Sequence, residues 1–142
     1  MKHEFEQKVY YSDTDAYGVV WHGSYLRWME AGRVEFCEML GHNLVDLEAQ
    51  SIVLPVVNLN VKYKNSARLN DKIIIQTSIN KFSNLSVTFE QKIISKESGK
   101  TFIEAFVDVV AIDNNGKLYR KMPQILLDAF KIAVEDDICL KA

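Results

Sequence analysis

Two carboxylates, an imidazole and the predicted start of a long helix fall within ten residues, Asp13 to His22. The surrounding stretch, residues 10–36, reads YYSDTDAYGVVWHGSYLRWMEAGRVEF. Ser12, Asp13, Asp15 and Gly18 are turn formers set between an apolar run and a helical pattern. The helix is predicted from spacing. Tyr25, Trp28, Met29, Gly32, Phe36 and Leu40 recur near i, i+3, i+4 and i+7, and Arg27, Glu30, Glu35 and Glu38 take the other faces. Ser24 or His22 stands where a cap belongs, and either would leave unpaired backbone N–H groups pointing at the carboxylate loop. A carboxylate facing such N–H groups is suited to a reaction in which a developing oxyanion must be held.

Other chemistries of an Asp-x-Asp loop fit less well. An EF-hand needs oxygen ligands at loop positions 1, 3 and 5, Gly at 6 and Glu at 12. Asp13, Asp15 and Gly18 meet three of these, but Tyr17 and Ser24 occupy positions 5 and 12. A strand followed by Asp-x-Asp is also the start of phosphohydrolases with an aspartyl nucleophile and Mg²⁺. Those resemble one another in having Thr or Val two residues after the second Asp, where Tyr17 stands here, and they need a doubly wound βαβ core. No G-x-S-x-G elbow is present, and His22-Gly23-Ser24 does not make one. Asp13 and Asp15 also have a purely structural reading as Asx-turn residues.

The elements that must position this loop follow from the periodicity. Residues 4–11 alternate weakly and predict a first strand; Gly41 is placed to end the long helix, and residues 42–50 form a turn or short helix. After Ser51 the period changes from 3.6 to 2. Val57, Leu59, Val61 and Tyr63 are predicted to face a core, with Asn58, Asn60, Lys62 and Lys64 outward, and Pro55 makes the beginning of this segment an edge or a bulge. Further strands are predicted over residues 72–82, 85–95 and 101–113, the last the most apolar and expected to be central. Asp113-Asn114-Asn115-Gly116 is a hairpin-type turn, and Pro123 opens a helix over 124–132 before an acidic, solvated tail at Glu135-Asp136-Asp137. One strand, one long helix and four consecutive strands predict an α+β fold in which the helix covers one face of an antiparallel sheet.

Composition narrows the setting. With 142 residues, the chain is read as one domain, large enough to bury roughly 68–70% of its unfolded surface. Apolar residues at 48% and charged ones at 25% are ordinary for a globular protein, and a net charge of −2 argues against general nucleic-acid binding. No run approaches the 18 apolar residues of a membrane span and no apolar leader opens the chain, so a reducing cytoplasm is expected. Cys37 and Cys139 form no ligand motif, and Cys37 is read as a small core residue. His3 and His42 are read as solvated.

The run VYYSDTDAYGVVWHGSYLRWME, residues 9–30, resembles the signature of the hotdog-fold acyl-CoA thioesterases, nearest the 4-hydroxybenzoyl-CoA thioesterase family and its Tol–Pal-associated bacterial relatives. The match to D-x-D-x-x-G-h-h-[WYF]-[HY]-x-x-Y is nearly complete, and the element order and length also fit. The resemblance implies a hotdog fold, hydrolysis of acyl-CoA with neither cofactor nor metal, and pairing of sheets into a homodimer or homotetramer. It assigns Asp15 the catalytic carboxylate, as nucleophile or as general base on water. It makes the His22 backbone N–H the group that polarises the carbonyl, Asp13 a brace of the loop, and Gly18 the glycine that turns the loop beside the substrate. Tyr17, Val20, Trp21 and Tyr25 join Gly18 as expected substrate contacts, while Tyr25, Trp28 and Met29 also have a core reading. A thioester has a good leaving group, so a carboxylate ionised near neutral pH suffices once the carbonyl is polarised. Two departures stand out. The turn after the third predicted strand carries one basic residue, Lys81, where relatives often place several for coenzyme A phosphates; Lys62, Lys64 and Arg68 are the other candidates, and an acyl-carrier-protein thioester competes as substrate. Tyr17 is bulkier than the residue many relatives have, and would narrow or lid the acyl entrance. A hotdog module that binds without catalysing is the non-enzymatic alternative.

Overall fold

The computed structural model describes residues 1–141, with side chains through Glu135. Strand β1 (Lys2–Lys8) leads through a 3-10 turn (Tyr11–Asp13) and a loop into helix α1 (His22–Met39). A short helix α2 (Leu44–Ala49) follows, then strands β2 (Val56–Tyr63), β3 (Lys72–Phe82), β4 (Ser86–Ser95) and β5 (Thr101–Val110), and helix α3 (Gln124–Lys141). The five strands form one antiparallel sheet in the order β1-β3-β4-β5-β2. This is the hotdog arrangement, a sheet curved around one long helix.

Alternation decides which side of the sheet is dry. Ile73, Ile75 and Ile79 of β3, Val87, Phe89 and Ile93 of β4, and Ile103, Val107 and Val109 of β5 are buried and share a cluster with Tyr25, Trp28, Met29, Phe36 and Cys37 of α1. Helix and sheet approach most closely at Gly32. A Cβ there would stand 2.6 Å from Thr77 Oγ1 and 2.9 Å from both Gln91 Nε2 and Ile75 Cγ2. The helix ends as its sequence predicts: Gly41 takes φ +90°, its N–H donates to Glu38 O (2.9 Å), and His42 N–H donates to Cys37 O (2.9 Å).

Several boundaries differ from the sequence expectation. Strand β1 starts and stops earlier than 4–11, because residues 11–13 wind into the 3-10 turn. Residues 44–49 are helical, with Asn43 Oδ1 accepting the Val45 N–H (2.8 Å). Strand β5 ends at Val110, though its neighbours β4 and β2 make it an inner strand as expected. Helix α3 runs to Lys141 rather than 132; Glu135 is exposed on it, and the side chains of Asp136, Asp137 and Cys139 lie outside the described residues. His3 and His42 are half-buried rather than solvated.

The largest correction concerns β2. Leu59 and Tyr63 do point to the concave side, paired with buried Val107 and Ile103 of β5, yet they are 43% and 49% exposed, and Val57, 59% exposed, falls in a bulge between Val56 and Asn58 and pairs with no residue of β5. Alternation gives a strand two faces but not its place in the sheet. Here β2 is the edge beyond β5, whereas α1 packs chiefly over β1, β3 and β4.

Candidate active site

The Asp15 loop is built by backbone hydrogen bonds that follow from its turn residues. Thr14 and Val20 form an antiparallel bridge, Asp15 N–H donates to Val19 O (2.9 Å), and Gly18 N–H donates back to Asp15 O (3.1 Å). Closing so tight a loop requires a positive φ, supplied by Gly18 at +78°. Asp15 Oδ1 accepts the Tyr17 N–H (2.8 Å), an Asx turn that fixes one carboxylate oxygen and leaves the other free. The side chain is half-buried.

Asp13 has a different part. It is 4% exposed; its Oδ2 accepts the Tyr10 N–H (2.9 Å) and its Oδ1 a short bond from the Arg27 guanidinium. Its backbone carbonyl accepts both Trp21 N–H (2.9 Å) and the Ser24 hydroxyl (3.0 Å). Asp13 therefore ties strand end, loop and helix start together. No group of three or more His, Cys, Asp or Glu able to hold a metal ion occurs among the described residues.

The N-cap of α1 is Trp21, in place of the expected Ser24 or His22, and no side chain caps it. Ser24 turns its N–H back to Trp21 O (2.9 Å), but neither the His22 nor the Gly23 N–H donates to any group among the described residues. Two free donors thus project from the helix start with its partial positive charge. The Trp21 indole packs at a tilt of 51° against the His22 ring (centroids 5.0 Å apart) and lies across Gly23, where a Cβ would meet it at 2.2 Å.

The facing wall comes from the end of β2 and the segment after it. A cleft of roughly 330 Å³ is lined by Asp15, Val19, Val20, His22, Tyr25, Tyr63, Lys64, Asn65 and Ser66. The structure thus brings together Asp15, His22, Val20 and Tyr25. Gly18 and Tyr17 stay in the loop and Trp21 at the helix cap, all exposed and outside this lining. Tyr25 is buried; its hydroxyl accepts the Ala67 N–H (2.9 Å), and burial pushes its pKa up. Lys64 pairs with Glu104 (3.1 Å).

Sequence reading missed two residues here. Tyr63 was expected in the core from its alternation, yet it flanks the cleft and donates its hydroxyl to His22 O (3.3 Å). Arg27, placed only on a helix face away from the apolar stripe, reaches the buried Asp13 carboxylate. The i to i+3 step from Ser24 to Arg27, both partners of Asp13, was the available signal. A second, more apolar cavity of about 270 Å³ lies farther along α1, lined by Arg33, Cys37, Leu54, Phe89 and Val109 among others. There the helix N–H groups are engaged within the helix, so of these two cavities the first is the one that joins a carboxylate to free helix donors.

The cleft thus joins a half-buried carboxylate to a helix start with free N–H groups, on a helix-wrapped sheet. The chain belongs to the thioesterase-like superfamily, whose family model matches residues 9–130. It is 36% identical over 124 residues to the Escherichia coli O6:H1 acyl-CoA thioester hydrolase YbgC, covering 87% of this chain and 92% of that protein. It is 29% identical over 112 residues to the Arabidopsis thaliana chloroplastic acyl-acyl carrier protein thioesterase ATL2, covering 79% of this chain and 60% of that one. Among solved structures, the DHNA-CoA thioesterase of Staphylococcus aureus superposes with a TM-score of 0.85 at 27% identity, over 99% of this chain and 93% of that one. The protein is a hotdog-fold thioesterase. Among the described residues no helix is long and apolar enough to cross a membrane.

Proposed function

We propose that this chain hydrolyses acyl-CoA thioesters to the free acid and coenzyme A, with Asp15 as the essential carboxylate. The observation that carries the reading is the pairing of a half-buried Asp15 with the unengaged His22 N–H in one cleft. Asp15 acts on the thioester carbonyl either directly or by taking a proton from water, whose oxygen then bonds to the carbonyl carbon. In both routes the carbonyl oxygen gains negative charge, which the His22 N–H and the helix start stabilise. Collapse breaks the C–S bond and the thiolate leaves and takes up a proton; the water route gives the free acid at once, whereas in the direct route water then cleaves the acyl–Asp15 anhydride, releasing the acid and restoring the carboxylate.

The likeness to an acyl-CoA hydrolase over 92% of its length favours coenzyme A as carrier, and the weaker likeness to a carrier-protein thioesterase keeps that substrate as the second reading. We infer further that residues 1–142 act as one domain with a single contiguous core, in the cytoplasm, and as a homodimer or homotetramer in which a second copy covers the exposed β2 edge.

The test is thiol release from benzoyl-, short-, medium- and long-chain acyl-CoA by the wild type and Asp15→Asn. Asparagine still accepts the Tyr17 N–H, so the loop persists while the charge is lost. Turnover is expected to fall by on the order of 10²–10⁴-fold with the melting temperature little changed. Wild-type turnover by Asp15→Asn would remove Asp15 from the chemistry. Hydrolysis of acyl-carrier-protein but not acyl-CoA would select the second reading.

A further inference from the structure

We propose that Tyr63 is a positioning residue for the reaction, holding the peptide unit that joins His22 to Gly23 so that its N–H serves as a second donor to the oxyanion. The proposal rests on the reading of the helix start as an oxyanion site and adds a residue from a different element to it.

The geometry begins at the hydroxyl. Tyr63 Oη donates to His22 O at 3.3 Å, across 41 positions of sequence. That carbonyl and the Gly23 N–H belong to one peptide plane, because the bond between them has partial double-bond character. A hydrogen bond at the oxygen therefore fixes the direction of the N–H on the other side of the plane, and polarises it as a donor. Gly23 N–H is one of the two free donors at the start of α1.

Among the described residues no other group from outside the helix bonds to this peptide. The cap residue Trp21 offers no side-chain bond. Asp13 O secures Trp21 N–H on one side and the Ser24 hydroxyl on the other, leaving the unit between them to Tyr63. A carbonyl has two lone pairs, so it accepts the tyrosine alongside its helical partner. Gly23 is also the residue across which the Trp21 indole lies; any side chain there would displace that ring. The Tyr63 ring is itself fixed by an edge contact with buried Tyr25 (centroids 5.9 Å, 63° between planes). Tyr63 also lines the cleft with Asp15 and His22.

Tyr63→Phe keeps the ring, its contact with Tyr25 and the cleft wall, and removes only the hydroxyl. The experiment measures kcat and KM for the preferred acyl-CoA together with the Gly23 amide resonance in ¹⁵N-labelled full-length protein. The expected result is a kcat lowered about 3–10-fold, the range of losing one supporting hydrogen bond, with KM within twofold and a displaced Gly23 resonance. A role confined to packing predicts an unmoved Gly23 resonance and unchanged kcat, and either of these overturns the proposal. A rise in KM with unchanged kcat overturns it too, by making Tyr63 a binding contact. If the wild type hydrolyses no thioester, the function proposed above fails by itself, and an unmoved Gly23 resonance in Tyr63→Phe would separately refute the link between hydroxyl and peptide.

Discussion

The Tyr25 hydroxyl accepts the N–H of Ala67 at 2.9 Å, and the carbonyl of the same Ala67 accepts the Val20 N–H at 2.9 Å. One fully buried residue thus joins helix α1, the Asp15 loop and the segment after β2. The adjacent Arg68 extends the joint by a bridge to Val19. Three parts of the chain that are separate in sequence meet here to shape the cleft.

Tyr25→Phe tests this joint. It leaves the buried Ala67 N–H without a partner, at a cost of about 1–3 kcal/mol, while the ring contacts with Trp28 and Tyr63 survive. The expected outcome is a melting temperature lower by several degrees and a reduced kcat/KM, since the loop loses its anchor. A variant as stable as the wild type would mean that the joint contributes nothing.

Asp13 and Arg27 form an unequal pair. The carboxylate is buried, whereas the arginine side chain is 64% exposed. Removing the exposed Arg27 side chain leaves Asp13 Oδ2 with its Tyr10 partner and lets water reach Oδ1 where the guanidinium lay, and the Arg27→Ala loss is expected at about 1 kcal/mol or less. Asp13→Ala removes the loop's brace as well as the ion pair and is expected to cost more, about 1.5–3 kcal/mol. A double-mutant cycle by urea denaturation checks both values. Equal single losses would reduce Asp13 to a simple ion-pair partner.

The site was more legible in the sequence than the sheet was. Turn residues between a strand and a helical pattern announced a carboxylate loop facing a helix start, because those residue types work through local backbone geometry. What local pattern could not carry was long-range. The i to i+3 and i+4 spacing identified the buried stripe of α1, but nothing in it indicated that Gly32 permits close approach to Thr77 and Gln91. Alternation in β2 identifies a concave face yet not an edge position, so Leu59 is expected in the core and is instead 43% exposed. The Tyr63 hydroxyl bond spans 41 residues and depends on β2 crossing to the far side of β5, which no local signal encodes.

Cys37 gives a prediction about pH. Burial among apolar neighbours pushes its thiol up to about 11 from an ordinary value of 9.0, with Arg33 only partly opposing the shift. Below pH 9 the thiol is protonated in both folded and unfolded chains, and stability is unaffected. Between about pH 9 and 11 the unfolded chain gives up its proton first, so stability falls as pH rises, by at most about 3 kcal/mol for this group. Burial of the Tyr25 and Tyr63 phenols pushes in the same direction. Native protein at pH 8 is expected to leave Cys37 unlabelled by Ellman's reagent until denaturant is added. Urea midpoints should decline from pH 9 to 11. Rapid labelling of native Cys37 would contradict its burial.

The exposed concave side of β2 leads to the last prediction. Leu59 pairs with buried Val107 and so follows the pattern of the neighbouring strand, yet α1 packs chiefly over β1, β3 and β4, and among the described residues no strand pairs with the outer edge of β2. An apolar edge strand is a pairing surface that soluble proteins cover or charge. If a second copy of this chain covers it, a charge there must cost association more than folding. Leu59→Lys is accordingly expected to shift light scattering from dimer or tetramer toward monomer, with the far-ultraviolet spectrum retained and activity reduced. Stable monomer in the wild type, or unchanged assembly in Leu59→Lys, would reject β2 as the joining edge.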